Sequence, residues 1–337
     1  MAANLPDCPS VSAIIPTWNQ APLVAAVLDN LRRQTIPPAE AVVIDNGSTD
    51  NTVALSERAG ARVISLGENR GFAAAVNAGI LESRSEWLLI LNNDVDLNPD
   101  WIEKALDAAR EESARFVTGK LLQARCPERL DGTWDLVSRA GCAWRCGYNA
   151  LDGELWNQRR RIRFASFTAL LIERSVFDKA GLLDTRYGSY YEDVDFGIRC
   201  ALAGITGVYE PSAMGRHLGS ATLGTGTRST YFISRNQVLL ASKFGLVQLS
   251  LWRVFLGQGL FLASRLTQGT FGVAIQGKWH GLRLSSSWRR YDSDTQRIRE
   301  MLEQSEADIE RFQKLIGFDL SWKLYFSFAG RRNRPHV

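Results

Sequence analysis

The sequence predicts an α/β fold: a mostly parallel central sheet flanked by helices, followed by a helical C-terminal extension. Three observations carry this. Short, nearly continuous apolar runs recur at 11–15, 41–44, 61–66 and 86–91, the pattern of strands buried on both faces. Segments with helical spacing lie between them, as in parallel-sheet units. Beyond residue 230 the strand pattern stops, and long apolar or charged stretches follow.

Taken in order, VSAII at 11–15 is a strand closed by Pro16, and 21–35 is a helix through Leu23, Val27, Leu28 and Leu31. AVVI at 41–44 is a strand before a polar turn and the helix-like 51–59; ARVISL at 61–66, helical 71–82 and EWLLIL at 86–91 continue the alternation. Ligands of such sheets gather beyond the carboxyl ends of the strands. Residues 123–163, rich in Gly, Trp, Arg and Cys, read as excursions over that face. FTALLI at 167–172 returns to a buried strand, a helix at 193–203 follows an acidic cluster, GVYE at 207–210 is a short strand, and the core closes near residue 220.

In the extension, LSLWRVFLGQGLFLA at 249–263 sits in an apolar segment, 230–276, that Arg253 and Arg265 interrupt and that holds six Gly between 245 and 277. A spanning helix needs about 20 largely uncharged residues. One or two amphipathic helices, packed on the core or lying in a bilayer interface, are expected instead. The helix at 295–316 carries a stripe of Ile298, Met301, Leu302, Ile309, Phe312 and Leu315 for packing on the body or on a partner subunit, and RRNRPHV at 331–337 is a basic end.

Composition narrows the class. With 337 residues, 45% of them apolar and 23% charged, the chain folds and exceeds one minimal domain. Residues 240–337 hold 15 Lys+Arg against 8 Asp+Glu, and the remainder 25 against 28, so a formal +4 divides into a weakly acidic body and a basic tail. The tail suits an anionic membrane surface or polyanionic partner, while the body lacks the basic surface of a nucleic-acid binder. Five Cys with one close pair, Cys142 and Cys146, and an N-terminal stretch without a signal pattern, lead to the expectation of a reducing cytoplasmic setting.

Polar clusters follow the strands. Asn92-Asn93-Asp94-Val95-Asp96 comes directly after 86–91. Two carboxylates one residue apart can approach one divalent cation that neutralises substrate phosphates; a plain surface Asp pair is the alternative. Asp45-Asn46-Gly47-Ser48 follows 41–44, placing Asp45 to accept from a sugar hydroxyl or base edge, although Asn-Gly is also simply a turn. Asn69-Arg70-Gly71-Phe72 and Asn77-Ala78-Gly79 put small residues where backbone can approach an anion. No G-x-G-x-x-G or Walker lysine motif opens the first unit, which argues against hydride transfer and nucleotide hydrolysis.

Tyr190-Tyr191-Glu192-Asp193-Val194-Asp195 offers a proton acceptor, since crowded carboxylates raise one another's proton affinity. Helix N-terminal charge is the alternative. His217, followed by Gly219 and Ser220, can ligate the cation, bond a diphosphate, or be structural. Trp134, Trp144 and Trp156 offer faces for a sugar or lipid, or packing.

Pro16-Thr17-Trp18-Asn19, Asp45 to Ser48, Asn69 to Ala73, Asn77 to Gly79, Asn92 to Asp96 and Glu192 to Asp195 stand in an order and context that resembles the family 2, GT-A fold glycosyltransferases, more narrowly the bacterial rhamnosyltransferase-like members that build surface polysaccharides, over roughly residues 11–220. The resemblance implies an inverting transfer from a nucleotide-activated sugar, a dTDP- or UDP-sugar with dTDP-rhamnose foremost, to a glycan or lipid-linked glycan. It implies that Pro16, Thr17, Trp18, Asn19, Asp45, Asn69, Arg70, Gly71, Asn77, Asn93 and Asp94 hold the donor. Asp94, Asp96 and His217 would then flank Mg²⁺ or Mn²⁺, with Asp96 the direct ligand ahead of Asp94. Asp193 would be the catalytic base, with Glu192 second choice. Residues 231–236, YFISRN, resemble the helix that follows the catalytic domain, whereas FASFTALLI departs from the usual Ser-Gly-Ala version and leaves the donor sugar open.

The expected division is a catalytic domain over 1–228, with a nucleotide-sugar half at 11–122 and an acceptor half at 123–228, and a helical extension over 229–337. The extension is expected to bind a membrane, peripherally on the cytoplasmic face of the inner membrane, or a partner such as a second copy. No nucleic-acid partner is expected. A nucleotidyltransferase is disfavoured by the lack of an early basic triphosphate loop, and a noncatalytic polysaccharide-assembly scaffold leaves the acidic groups without a joint purpose.

Overall fold

A computed structural model of the chain describes residues 9–219, 226–286, 291 and 294–329. Ser220 and the basic end at 331–337 lie outside these. The chain opens with β1 (Val11–Thr17), α1 (Ala21–Arg32), β2 (Glu40–Asp45), α2 (Thr52–Arg58), β3 (Arg62–Ser65), α3 (Phe72–Glu82) and β4 (Trp87–Leu91). The four strands run parallel, with β1 between β2 and β4. Alternate side chains feed two cores: Ile14, Val42, Ile44, Leu88 and Ile90 pack on one face, and Ala13, Ile15, Val43, Leu89 and Leu91 on the other. This is why the runs read as continuously apolar.

Next come β5 (Val95–Leu97), α4 (Trp101–Glu112) and β6 (Phe116–Gln123), then β7 (Cys126–Gly132), β8 (Asp135–Val137), β9 (Ala143–Arg145) and β10 (Arg160–Ile162). The region expected to be excursions is therefore largely ribbon: β7 pairs with β6, and β8 with β9. β11 (Ala169–Glu173) is inserted antiparallel between β4 and β6, which makes the sheet parallel in its first half and mixed beyond. After α5 (Ser175–Ala180) and α6 (Glu192–Leu202), β12 (Gly207–His217) runs well past the expected 207–210. An irregularity between Glu210 and Met214 absorbs Pro211 and lets the strand resume its pairing with β6. His217 is thereby carried to the same sheet end as Asp94.

The extension holds α7 (Thr227–Lys243), α8 (Leu246–Thr267), α9 (Phe271–Ser285), α10 (Thr295–Ile316) and α11 (Leu320–Ala329). The one or two helices expected over 230–276 are three, divided at Gly245 and Gly269, whose φ of 65° and 68° suits a residue without Cβ. α10 covers the expected residues and buries Ile298, Met301, Leu302, Ile309 and Phe312. α7 is bound to the catalytic body across the expected boundary at 228: buried Lys243 bridges Asp184 at 2.9 Å and Asp195 at 2.6 Å, and Asp195 also pairs with Arg199.

Candidate active site

A cavity of about 1050 Å³ opens beyond the carboxyl ends of β1 and β4, where a sheet growing in both directions from β1 leaves a crevice. Pro16, Thr17 and Trp18 line it from β1, and Asn92, Asn93 and Asp94 from the turn after β4. The two sides are joined by Asn93 Nδ2, which donates to Thr17 Oγ1 at 2.7 Å. The next wall is set by Asn46: its Oδ1 accepts from the Arg70 N–H at 2.8 Å and its Nδ2 donates to the Gly71 carbonyl. Gly71 has φ 87°, and a Cβ there would stand 2.8 Å from the Gly188 carbonyl oxygen. Asn69, Arg70, Gly71 and Phe72 thus form a rim against the segment that precedes α6.

Three residues expected to hold the donor do not reach the cavity wall. Asn19 Oδ1 accepts from the Thr49 N–H and Asp45 Oδ1 from the Ser48 N–H, so both fix turns. Asn77 is a clamp: its Nδ2 donates to the Leu183 carbonyl at 2.8 Å and its Oδ1 accepts from the Leu183 N–H at 3.0 Å.

The expected carboxylate pair also separates. Asp94 lines the cavity and meets His217 Nε2 at 3.2 Å. Asp96 lies on β5 with its side chain exposed and Oδ1 accepting from Asn30 Nδ2 of α1; Asp94 lies in the turn before that strand, so strand alternation does not hold the two on one face. His217 Nδ1 meets Asp131 at 2.8 Å. Burial alone would lower the imidazole's proton affinity, but the bonds to Asp131 and Asp94 raise it to about 9. Asp131, Asp135 and Arg145, which were not anticipated, complete this end. Arg145 reaches Asp131 at 3.4 Å and Asp135 at 3.8 Å, and burial pushes Asp135 up to about 7. They come together through the pairing of Asp135 with Arg145 across β8 and β9, a nonlocal contact that sequence spacing does not announce.

Opposite stand Glu192 and Asp193 at the start of α6, both on the cavity wall. Asp193 Oδ1 accepts from the Val194 N–H at 2.8 Å. Burial raises the Asp193 carboxyl above its usual range, with Arg145 opposing. Glu192 is 5% exposed, its Oε2 has no hydrogen-bond partner, and burial raises it well above the carboxylate range. Burial and the neighbouring Asp193 charge both disfavour its charged form. The two residues are aimed by Tyr190 and Tyr191, which adopt φ of 66° and 72°, a strained conformation for bulky side chains. Asn236 of α7 holds that turn, its Nδ2 donating to the carbonyls of Tyr187, Ser189 and Tyr190 at 3.0, 2.9 and 2.6 Å. Tyr191 OH donates to the Gly141 carbonyl and accepts from Gln237 Nε2. Arg228 and Phe232 of α7 and Leu260, Phe261 and Arg265 of α8 extend the wall.

An α/β sheet with a loop-built crevice at its switch point, an acidic floor and a carboxylate pair at a helix start defines a glycosyltransferase of the GT-A type. The chain belongs to glycosyl transferase family 2, whose model matches residues 12–180. It is 29% identical over 225 residues to the N-acetylglucosaminyl-diphospho-decaprenol L-rhamnosyltransferase of Mycobacterium tuberculosis, covering 58% of this chain and 72% of that protein. It is 30% identical over 199 residues to a PGL/p-HBAD biosynthesis glycosyltransferase of Mycobacterium bovis, covering 57% and 70%. In fold it is similar to GalNAc-T7 solved with UDP, GalNAc and Mn²⁺, with a TM-score of 0.60 at 12% identity over 97% of this chain and 58% of that one.

Proposed function

We propose that the chain transfers a sugar from a nucleoside-diphosphate donor to a hydroxyl of a glycan or lipid-linked glycan, with inversion at the anomeric carbon. Rhamnose from dTDP-rhamnose is the leading donor, supported by the motif resemblance and by the relative named as an L-rhamnosyltransferase. The observation that carries the reading is that the Pro16–Trp18 strand end, the Asn69–Gly71 rim, Asp94 and the Glu192–Asp193 helix start face one cavity.

Asp193 takes the acceptor hydroxyl's proton. The freed oxygen attacks the anomeric carbon from the face opposite the diphosphate, and the carbon–oxygen bond to phosphate breaks as the new bond forms. This single displacement needs a base and no enzyme nucleophile. A raised proton affinity makes Asp193 the stronger base, whereas Glu192, whose buried Oε2 has no hydrogen-bond partner among the described residues, faces the cavity as a hydrogen-bonding group for a sugar hydroxyl. Arg145 counters the charge beside Asp193.

For the metal, Asp94 and His217 would be the ligands, with the imidazole giving up the proton it shares with Asp94 as the ion enters, and Asp96 would not. Among the described residues no group of three or more His, Cys, Asp or Glu side chains could hold an ion alone. One carboxylate and one imidazole fit Mg²⁺ or Mn²⁺ only when the donor diphosphate completes the shell, the common way such ions are held. When bound, the ion neutralises charge that grows on the departing diphosphate.

Asp193→Asn should keep donor binding in calorimetry and abolish nucleoside diphosphate release in the presence of acceptor. Release at the wild-type rate would overturn the assignment, and pyrophosphate as the product would indicate nucleotidyl transfer.

A further inference from the structure

Three helices of the extension leave apolar side chains uncovered at one spacing. α8 exposes Val247, Leu251 and Phe255; α9 exposes Phe271, Ile275, Trp279 and Leu282; α11 exposes Leu320, Leu324 and Phe328, all 37–72% open. Steps of four, or four and three, keep the α9 and α11 series each on one helix face, and Leu251 and Phe255 share a face of α8 beyond a kink at Ser250, with Val247 before it. α8 packs against both α9 and α11, so the stripes lie on adjacent helices rather than as the scattered exposure every soluble protein shows.

Charge selects what covers them. α8, α9 and α11 contain no Asp or Glu; of their cations Arg283 and Lys323 are exposed and Arg265 stands at the cavity wall, whereas Arg253 pairs with Glu306 and Lys278 is held by Gln237 and Gln258. A second copy would bring like charges together, whereas an anionic bilayer surface gains about 1 kcal/mol for each cation close to it. The Arg283 guanidinium lies 3.4 Å from the centre of the exposed Trp279 ring, a pairing of apolar body and charged head that suits a lipid–water boundary. α8 is long and apolar enough to cross a membrane, with a mean hydropathy of 1.4. Its other face, however, buries Ser250, Arg253, Val254 and Gly257, and Arg253 pairs with Glu306 at 3.3 Å. That face is committed to protein, so α8 lies along an interface.

The catalytic cavity reaches the same helices. Its outer wall is Leu260, Phe261 and Arg265 of α8 with Leu320 and Trp322 of α11. Arg265 pairs with no carboxylate among the described residues; it donates to Ser264 Oγ at 3.2 Å and its guanidinium lies 4.8 Å from the Phe261 ring centre. A guanidinium without a counter-anion, set between apolar walls, matches a phosphate attached to a hydrocarbon chain. Resting on the sugar-transfer function above, we propose that the uncovered face of α8, α9 and α11 seats in an anionic bilayer leaflet, and that the acceptor is a lipid-borne phosphate entering from that leaflet with its phosphate on Arg265.

The full chain should float with mixed phosphatidylcholine–phosphatidylglycerol vesicles, less with phosphatidylcholine alone, and the Phe255→Glu/Trp279→Glu variant should lose flotation while binding nucleotide-sugar in calorimetry like the wild type. With the donor site filled by a nucleoside diphosphate, farnesyl diphosphate should bind the wild type about tenfold more tightly than Arg265→Gln, and more tightly than pyrophosphate or farnesol binds the wild type. Failure of the wild type to float, or a stable dimer in sedimentation that the double variant dissociates, overturns the membrane surface. Equal binding of pyrophosphate and farnesyl diphosphate overturns the lipid-borne acceptor. In each case, intact nucleotide-sugar binding leaves the sugar-transfer function standing; flotation without nucleotide-sugar binding sinks that function alone.

Discussion

Asn236→Ala isolates the contribution of α7 to catalysis. The Asn236 amide is fully buried and shares two hydrogens among three carbonyls of the 187–190 turn. Its removal takes a donor from the Ser189 and Tyr190 carbonyls, whereas that of Tyr187 still accepts from the Ser189 N–H and from Arg235, at a cost of about 1–3 kcal/mol for an unsatisfied group. It also releases Tyr190 and Tyr191 from φ of 66° and 72°, conformations that cost about 1–2 kcal/mol each and persist only while the surroundings impose them. The turn therefore relaxes, and because the strain relieved offsets part of the lost bonding the expected stability loss is about 1–2 kcal/mol. Asp193 begins two residues later, and a displacement near 1 Å of a reacting group costs about 10²-fold in rate. Nucleotide release assayed with an envelope lipid extract as acceptor should show kcat falling by about that factor, with donor affinity in calorimetry nearly unchanged. Asn236→Asp should be no better, since a carboxylate faces the same carbonyls without donors. A kcat within twofold of wild type together with an unshifted melting temperature would refute the link between this amide and the catalytic turn.

Asp94→Asn should weaken nucleotide-dependent Mn²⁺ binding by about tenfold or more, while Asp96→Asn leaves it nearly unchanged, because Asp96 is committed to Asn30; equal losses would return Asp96 to the metal site. Burial opposes ionisation of Asp184, but Arg186 and Lys243 hold its carboxyl at about 2, below its usual 3.8. A depressed folded value gives stability that is complete above the unfolded value and lost as pH falls through the folded one, here about 2 kcal/mol between pH 5 and 2. Urea unfolding across that range should be less pH-dependent in Asp184→Asn, and an identical slope would contradict the pairing. Gly71→Ala should cost more stability and donor affinity than Gly67→Ala, since both have positive φ but only Gly71 meets backbone, at 2.8 Å from the Gly188 carbonyl oxygen.

The first four strands and α10 were legible because a repeated local pattern, apolar runs or a helical stripe, is sufficient to mark them. β12 was legible only to Glu210, since Pro211 interrupts the pattern that the irregular register with β6 absorbs. α4, β6 and α11 were not marked at all, and Gly245 and Gly269 had to be seen as helix ends before three helices replaced two. In the site, motif residues near a strand end reached the cavity, as Thr17, Asn93 and Asp94 did. What spacing leaves undetermined is the direction of a side chain: Asp94 and Asp96 look alike in sequence and face apart, and Asn77 stands in a motif yet binds Leu183. Arg145, Asp131 and Asn236 depend on contacts between distant segments, which carry no local signature.

The amide of Asn236 and the ammonium of Lys243 secure a turn that the chain has already produced 46 and 48 residues earlier, at Tyr190 and Asp195. During synthesis the donor side of the crevice is encoded and complete well before α7 exists. On the sugar-transfer function proposed above, the growing polypeptide would carry the donor loops without an aimed base until α7 arrives to set the two tyrosines. A stalled or prematurely ended product would therefore lack the aimed carboxylate, and sugar transfer as proposed would begin only once α7 has been made.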